Sequence, residues 1–201
     1  MKKFVIFPLL LILFFAGCQK DTSLVSLEQN DSKSLQKPAW VLAAEKQGLT
    51  LIALPQSSSL SLEKKIRDTE FIKHDEFGKL SIENVYRSTR NNKVSIEASL
   101  SIRANSLAES GYLSMSFVNE FLCFEFGPSG TTFSKDALLN VEAEGLDRST
   151  LEELKTAKLN YFDETTKSWI EVGVDEISVR DGKFVCKNGK IPHFSRYGFT
   201  N

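Results

Sequence analysis

Cysteine and histidine are scarce in this chain. There are three cysteines, Cys18, Cys123 and Cys186, and two histidines, His74 and His193. His193-Phe194-Ser195 sets an imidazole and a hydroxyl two residues apart, and on a strand such residues share a face. A base would then stand beside a hydroxyl able to act as a nucleophile. The competing reading gives Phe194 to the core and leaves His193 and Ser195 with ordinary hydrogen bonds. His74-Asp75-Glu76 has no zinc-ligand spacing, and neither a metal nor a cofactor is expected. Gly127-Pro128-Ser129-Gly130 lacks the lysine and the following helix of a phosphate loop, so it reads as a turn. No Ser-His-Asp or paired-carboxylate arrangement is visible. The expectation is a protein without catalysis on external substrates.

Cys18 carries the most specific signal. Met1-Lys2-Lys3 is positive, Phe4 to Phe15 is apolar apart from Pro8, and Ala16-Gly17 precedes the cysteine. About a dozen apolar residues are too few to span a bilayer, so the run reads as a cleaved leader. The ending Phe15-Ala16-Gly17-Cys18 resembles a bacterial lipobox, in which the cysteine is lipidated and becomes the new amino terminus. Acyl chains such as palmitate on Cys18 would hold the protein to a membrane, each buried methylene contributing roughly 0.8 kcal/mol. Gln19 stands where inner-membrane lipoproteins carry Asp, and Gln19-Lys20-Asp21 resembles the start of a surface-export tag. The expected location is the bacterial cell envelope, at the outer membrane, with surface exposure as a further option. In that oxidising compartment Cys123 and Cys186 are a candidate disulfide. Its loop of roughly sixty residues is worth about 4 kcal/mol in the chain-entropy model. The alternative is two separate buried thiols.

The elements that would position these residues are strands. Gln19 to Lys37 is polar and without sustained periodicity, which reads as a tether. Val94, Ile96, Ala98, Leu100 and Ile102 alternate with polar residues, as do Leu113, Met115 and Phe117. Phe121 to Phe126 is nearly continuous and reads as a central strand buried on both faces. Ser149-Thr150 reads as the cap of a short helix through Leu154, and Asp181-Gly182 is a hairpin dipeptide. The last strand is placed from His193 to Phe199. About ten short strands with frequent turns argue an all-β, antiparallel β-sandwich. The expected divisions are a leader at 1–17, the lipidated cysteine and a disordered tether at 18–37, a segment at 38–77 packing on or leading into the domain, and the sandwich at 78–201. Fifteen phenylalanines suit a β core, and a formal net charge of −1 with no Lys/Arg block argues against nucleic acid.

Phe126-Gly127-Pro128-x-Gly130 with Phe133-Ser134, the turn before Trp169, and His193-Phe194-Ser195-Arg196-Tyr197 follow in an order that resembles the bacterial ZU5-like domain. The resemblance covers roughly Gly78 to Phe199. It implies a β-sandwich with a structural, adhesive or binding role, whose partners are the membrane through Cys18 and an envelope protein or glycan. Some ZU5 domains cleave themselves at the His-Phe-Ser tripeptide, so the resemblance also implies an alternative, self-cleavage between Phe194 and Ser195. A third reading is a carbohydrate-binding module, which would need Tyr161, Trp169 and Tyr197 at the surface.

Overall fold

The computed structural model describes residues 37–58, 66–118 and 120–201. The expectations for the leader, Cys18 and most of the tether lie outside them. The described part opens with helix α1, Ala39–Lys46, and then runs β1 Ile66–Ile72, β2 Gly78–Arg87, β3 Lys93–Ile102, β4 Gly111–Val118, β5 Cys123–Gly127 and β6 Thr132–Glu144. Helix α2, Arg148–Leu154, leads to β7 Lys158–Asp163, β8 Ser168–Glu171, β9 Glu176–Arg180, β10 Lys183–His193 and β11 Arg196–Thr200. One sheet has the order β1-β4-β5-β11-β7-β8 and the other β2-β3-β6-β10-β9. Every pairing within them is antiparallel. The fold is the all-β sandwich that the alternation predicts.

The alternating apolar residues become the space between the sheets. Leu80, Val94, Leu100, Ile102, Leu139, Val141, Phe117, Phe124, Phe184 and Phe199 all lie in one buried cluster. Full burial of such side chains contributes roughly 1.5–3 kcal/mol each. The turns follow local chemistry. Asp181 and Gly182, with φ of 52° and 76°, are the two left-handed residues of a tight hairpin between β9 and β10.

The described parts of the 38–77 segment belong to the sandwich. β1 is an edge strand of the six-stranded sheet. Leu51 bridges to Thr200 and Ala53 to Phe121, so the stretch after α1 runs along one end of the domain. Helix α1 is eight residues long, too short to be stable alone. It is held by Trp40, Val41, Ala43 and Ala44, which bury against Leu51, Cys123, Phe162 and Trp169 on the outer face of the six-stranded sheet. Gly48 ends it at φ 72°, and Leu49 N–H returns to Ala44 C=O at 2.9 Å.

Two expectations are corrected. First, His193 to Phe199 is not one strand: β10 ends at His193 and β11 begins at Arg196, leaving Phe194 and Ser195 at a corner between the two sheets. The reason is Phe194, 1% exposed, whose ring packs against Phe126 and Phe133. Second, Cys123 and Cys186 are free thiols rather than a disulfide. Cys186 lies on β10 in the core between the sheets, whereas Cys123 lies on β5 in the outer cluster under α1. The six-stranded sheet separates them.

Candidate functional site

The His193-Phe194-Ser195 corner is built from three neighbouring segments. Phe194 N–H donates to Thr131 C=O at 2.7 Å, and Phe194 C=O accepts from Gly130 N–H at 3.1 Å. Ser195 C=O accepts from Phe126 N–H at 3.0 Å. The loop after β5 thus holds the corner from one side and β7 from the other. Ser195 Oγ donates to Phe162 C=O at 2.7 Å, while the His193 ring stands edge-on to Tyr161 with centroids 4.6 Å apart. Tyr197 hydroxyl donates to His193 C=O at 2.6 Å, and burial raises its pKa well above the usual phenol value. The serine proton is therefore directed at a carbonyl, and the imidazole rests on a phenol ring. His193 and Ser195 do not share a strand face, and no residue of the tripeptide has a left-handed φ.

The outer cluster places cation and aromatic groups together. The Arg196 guanidinium lies 4.4 Å from the centre of the Trp40 ring and pairs with Glu125 on the neighbouring strand. Trp169 Nε1–H donates to Trp40 C=O at 2.8 Å, and Trp40 packs edge-on to Phe121. This arrangement fastens α1 to the sheet. Burial pushes both Cys123 and Cys186 thiols up to about 12, so neither is a thiolate nucleophile near neutral pH.

Of the rings a carbohydrate platform would need, Trp169 and Tyr197 are buried and Tyr161 is packed against the core. Among the described residues the exposed rings are others, which the sequence reading missed. Phe71 is 53% exposed, Phe77 64% and Tyr112 71%. Phe71 and Tyr112 are register partners on β1 and β4, with rings 5.2 Å apart and edge-on. The available signal was their position: each occupies an outward step of its strand beside an inward Ile72 or Leu113. Two loops held to one another lie beside them. His74 C=O accepts from Asn105 N–H at 2.7 Å, and His74 N–H donates to Ser110 Oγ at 2.9 Å. Glu76 is taken by Lys73 at 2.7 Å, so His74-Asp75-Glu76 is part of a fastened turn. Among the described residues, no three His, Cys, Asp or Glu side chains gather closely enough to hold one metal ion.

These exposed rings lie at one end of the sandwich, with the turns before β2, β4, β6 and β11. Lys37, where the described chain begins, lies at the other. It lines a cleft of about 340 Å³ with Pro38, Val41, Leu51, Glu120 and Phe121, beside the β4–β5 connection. No protein-family model, curated protein or solved structure compared with this chain matches it.

Proposed function

We propose that this chain is a lipid-anchored envelope protein whose β-sandwich, of ZU5-like type, is a binding or adhesive domain rather than an enzyme for external substrates. The observation that supports it best is the polarity of the fold. An anchor on Cys18 would join the domain through Lys37, at the end marked by Glu120 and Phe121. The exposed Phe71, Phe77 and Tyr112 occupy the opposite end, eight residues of β4 away, which is roughly 27 Å at the rise of an extended strand. Rings exposed on fastened loops are the kind of surface at which proteins meet partners. A domain attached through one end and carrying exposed rings at the other leaves that surface clear of its own attachment point.

The test is membrane fractionation of cells producing the full chain. Cys18→Ser is expected to move the protein out of the lipid-modified membrane fraction and to abolish incorporation of labelled palmitate. Unchanged palmitate incorporation in Cys18→Ser would refute the anchor.

Self-processing between Phe194 and Ser195 is the second reading. What favours it is the Gly130 N–H already aimed at the Phe194 carbonyl oxygen, where a developing oxyanion would sit. It requires Ser195 Oγ to leave Phe162 C=O and find a base.

A further inference from the structure

A sandwich of two open sheets has four edge strands, here β1, β8, β2 and β9. Unpaired edges invite other strands, and proteins guard them with charges, short strands or covering groups. Three of these four are guarded. Asp68 on β1 reaches across to accept Ser81 N–H of β2 at 2.7 Å, closing the side where those two edges meet. The far part of β2 is held by Ser58, whose N–H donates to Arg87 C=O at 2.8 Å. β8 is four residues long, and the Gln47 side chain occupies both Trp169 N–H, at 2.6 Å, and Trp169 C=O, at 3.2 Å.

β9 has no such hydrogen-bonded guard among the described residues; α2 packs beside β9 and β10, with Leu151 and Leu154 in the same cluster as Ile177 and Val179. β9 pairs with β10 on one side through a two-residue hairpin closed at Arg180 and Lys183. Alternation from that closing pair turns Arg180, Ser178 and Glu176 backbone groups towards β10, and those of Ile177 and Val179 towards the open edge. Among the described residues, neither Ile177 nor Val179 has a backbone hydrogen bond beyond the strand ladder. Their side chains are half-buried at the rim of the core. On the other face stand Glu176 and Arg180. Lys187 and Ser178 fix the Glu176 carboxylate at 2.8 and 3.0 Å, while Arg180 is exposed and has no ion-pair partner among the described residues.

The five residues Glu176-Ile177-Ser178-Val179-Arg180 are complementary to their own reverse. We propose that two copies of this chain pair antiparallel along β9 about a twofold axis at Ser178, joining their five-stranded sheets into one. In that register Glu176 of each copy faces Arg180 of the other, and Ile177 faces Val179. The outward N–H and C=O of Ile177 and Val179 meet each other directly. A shift by two residues separates the charges, and a parallel arrangement sets Glu176 against Glu176. One register satisfies backbone, core face and charge together. Such a symmetric interface needs no second surface on the molecule.

The test is disulfide trapping in cells producing the full chain. Ser178 would face its twin in a non-hydrogen-bonded pair, where Cβ atoms are about 4.5–5.5 Å apart, near the span of a disulfide. Ser178→Cys is expected to yield cross-linked dimer on mild oxidation, well above both the unsubstituted chain and Ser99→Cys on the middle of the same sheet face. Adding Arg180→Glu replaces two attractive pairs with two repulsive ones and should lower the trapped fraction, with dimer affinity falling on the order of tenfold. The further exchange Glu176→Arg should restore it. Trapping of Ser178→Cys at the level of Ser99→Cys would overturn the proposal, as would a charge exchange that fails to recover dimer in a chain that remains folded by circular dichroism.

Discussion

Replacing Gly198 with alanine would set a methyl carbon 2.5 Å from Cys123 Sγ, 3.3 Å from the Trp169 ring and 3.5 Å from Leu51. Gly198 sits opposite Cys123 in the β11–β5 pair, under α1, and its φ is not in the left-handed region. The backbone therefore accepts alanine, and the whole penalty is steric. The sulfur has little freedom, since Cys123 is fully buried. Overpacking of this kind costs about 1–3 kcal/mol. Cys123→Ala by itself removes one buried heavy atom and should cost on the order of 1 kcal/mol. The two changes together remove the clash, so the double variant is expected to be no less stable than Gly198→Ala and at least about 1 kcal/mol better than the sum of the singles. Urea unfolding followed by tryptophan fluorescence is the assay, because both tryptophans, Trp40 and Trp169, lie in the affected cluster. A loss of 2 kcal/mol moves the midpoint by about 1 M. Additive energies in the cycle would show that Gly198 is not present to admit Cys123, and the account of the outer cluster would fail.

The two buried thiols also set a pH dependence. Unfolded, they ionise near 9.0; folded, burial holds them protonated up to about 12. A raised folded pKa means that this stability is fully present below pH 9 and is lost as pH rises towards 12, each thiol contributing a slope of up to ~1.4 kcal/mol per pH unit. The urea midpoint should therefore drop between pH 9 and 11 and drop less steeply in Cys123→Ala; a flat midpoint would contradict the burial. Ser195→Ala removes the hydroxyl donor to Phe162 C=O and should cost about 1–3 kcal/mol, read from the same unfolding curves. Intact mass under denaturing conditions should show Ser195 to Asn201 retained in both forms. Loss of those residues from the unsubstituted chain, but not from Ser195→Ala, would establish self-processing instead.

Much of this fold is legible in the chain itself, for a local reason. A strand with one buried face must alternate, so Val94 to Ile102 or Leu113 to Phe117 declares both its conformation and its inward side. Hairpins such as Asp181-Gly182 are declared by residues that tolerate left-handed φ. What tertiary structure alone decided concerns residues distant in sequence. The alternation rule puts His193 and Ser195 on one face only if the strand continues through Phe194. The pocket formed by Phe126 and Phe133 takes Phe194 and turns the chain there, so the base and the hydroxyl part company. Cys123 and Cys186 each sit on an expected strand, yet inward and outward have meaning only relative to a sheet. The pairing of β5 with β11 sends one thiol outward under α1, and that of β10 with β6 sends the other into the core. Periodicity records which face of a strand avoids water. It does not record which strand lies alongside, and that adjacency settles which functional groups meet.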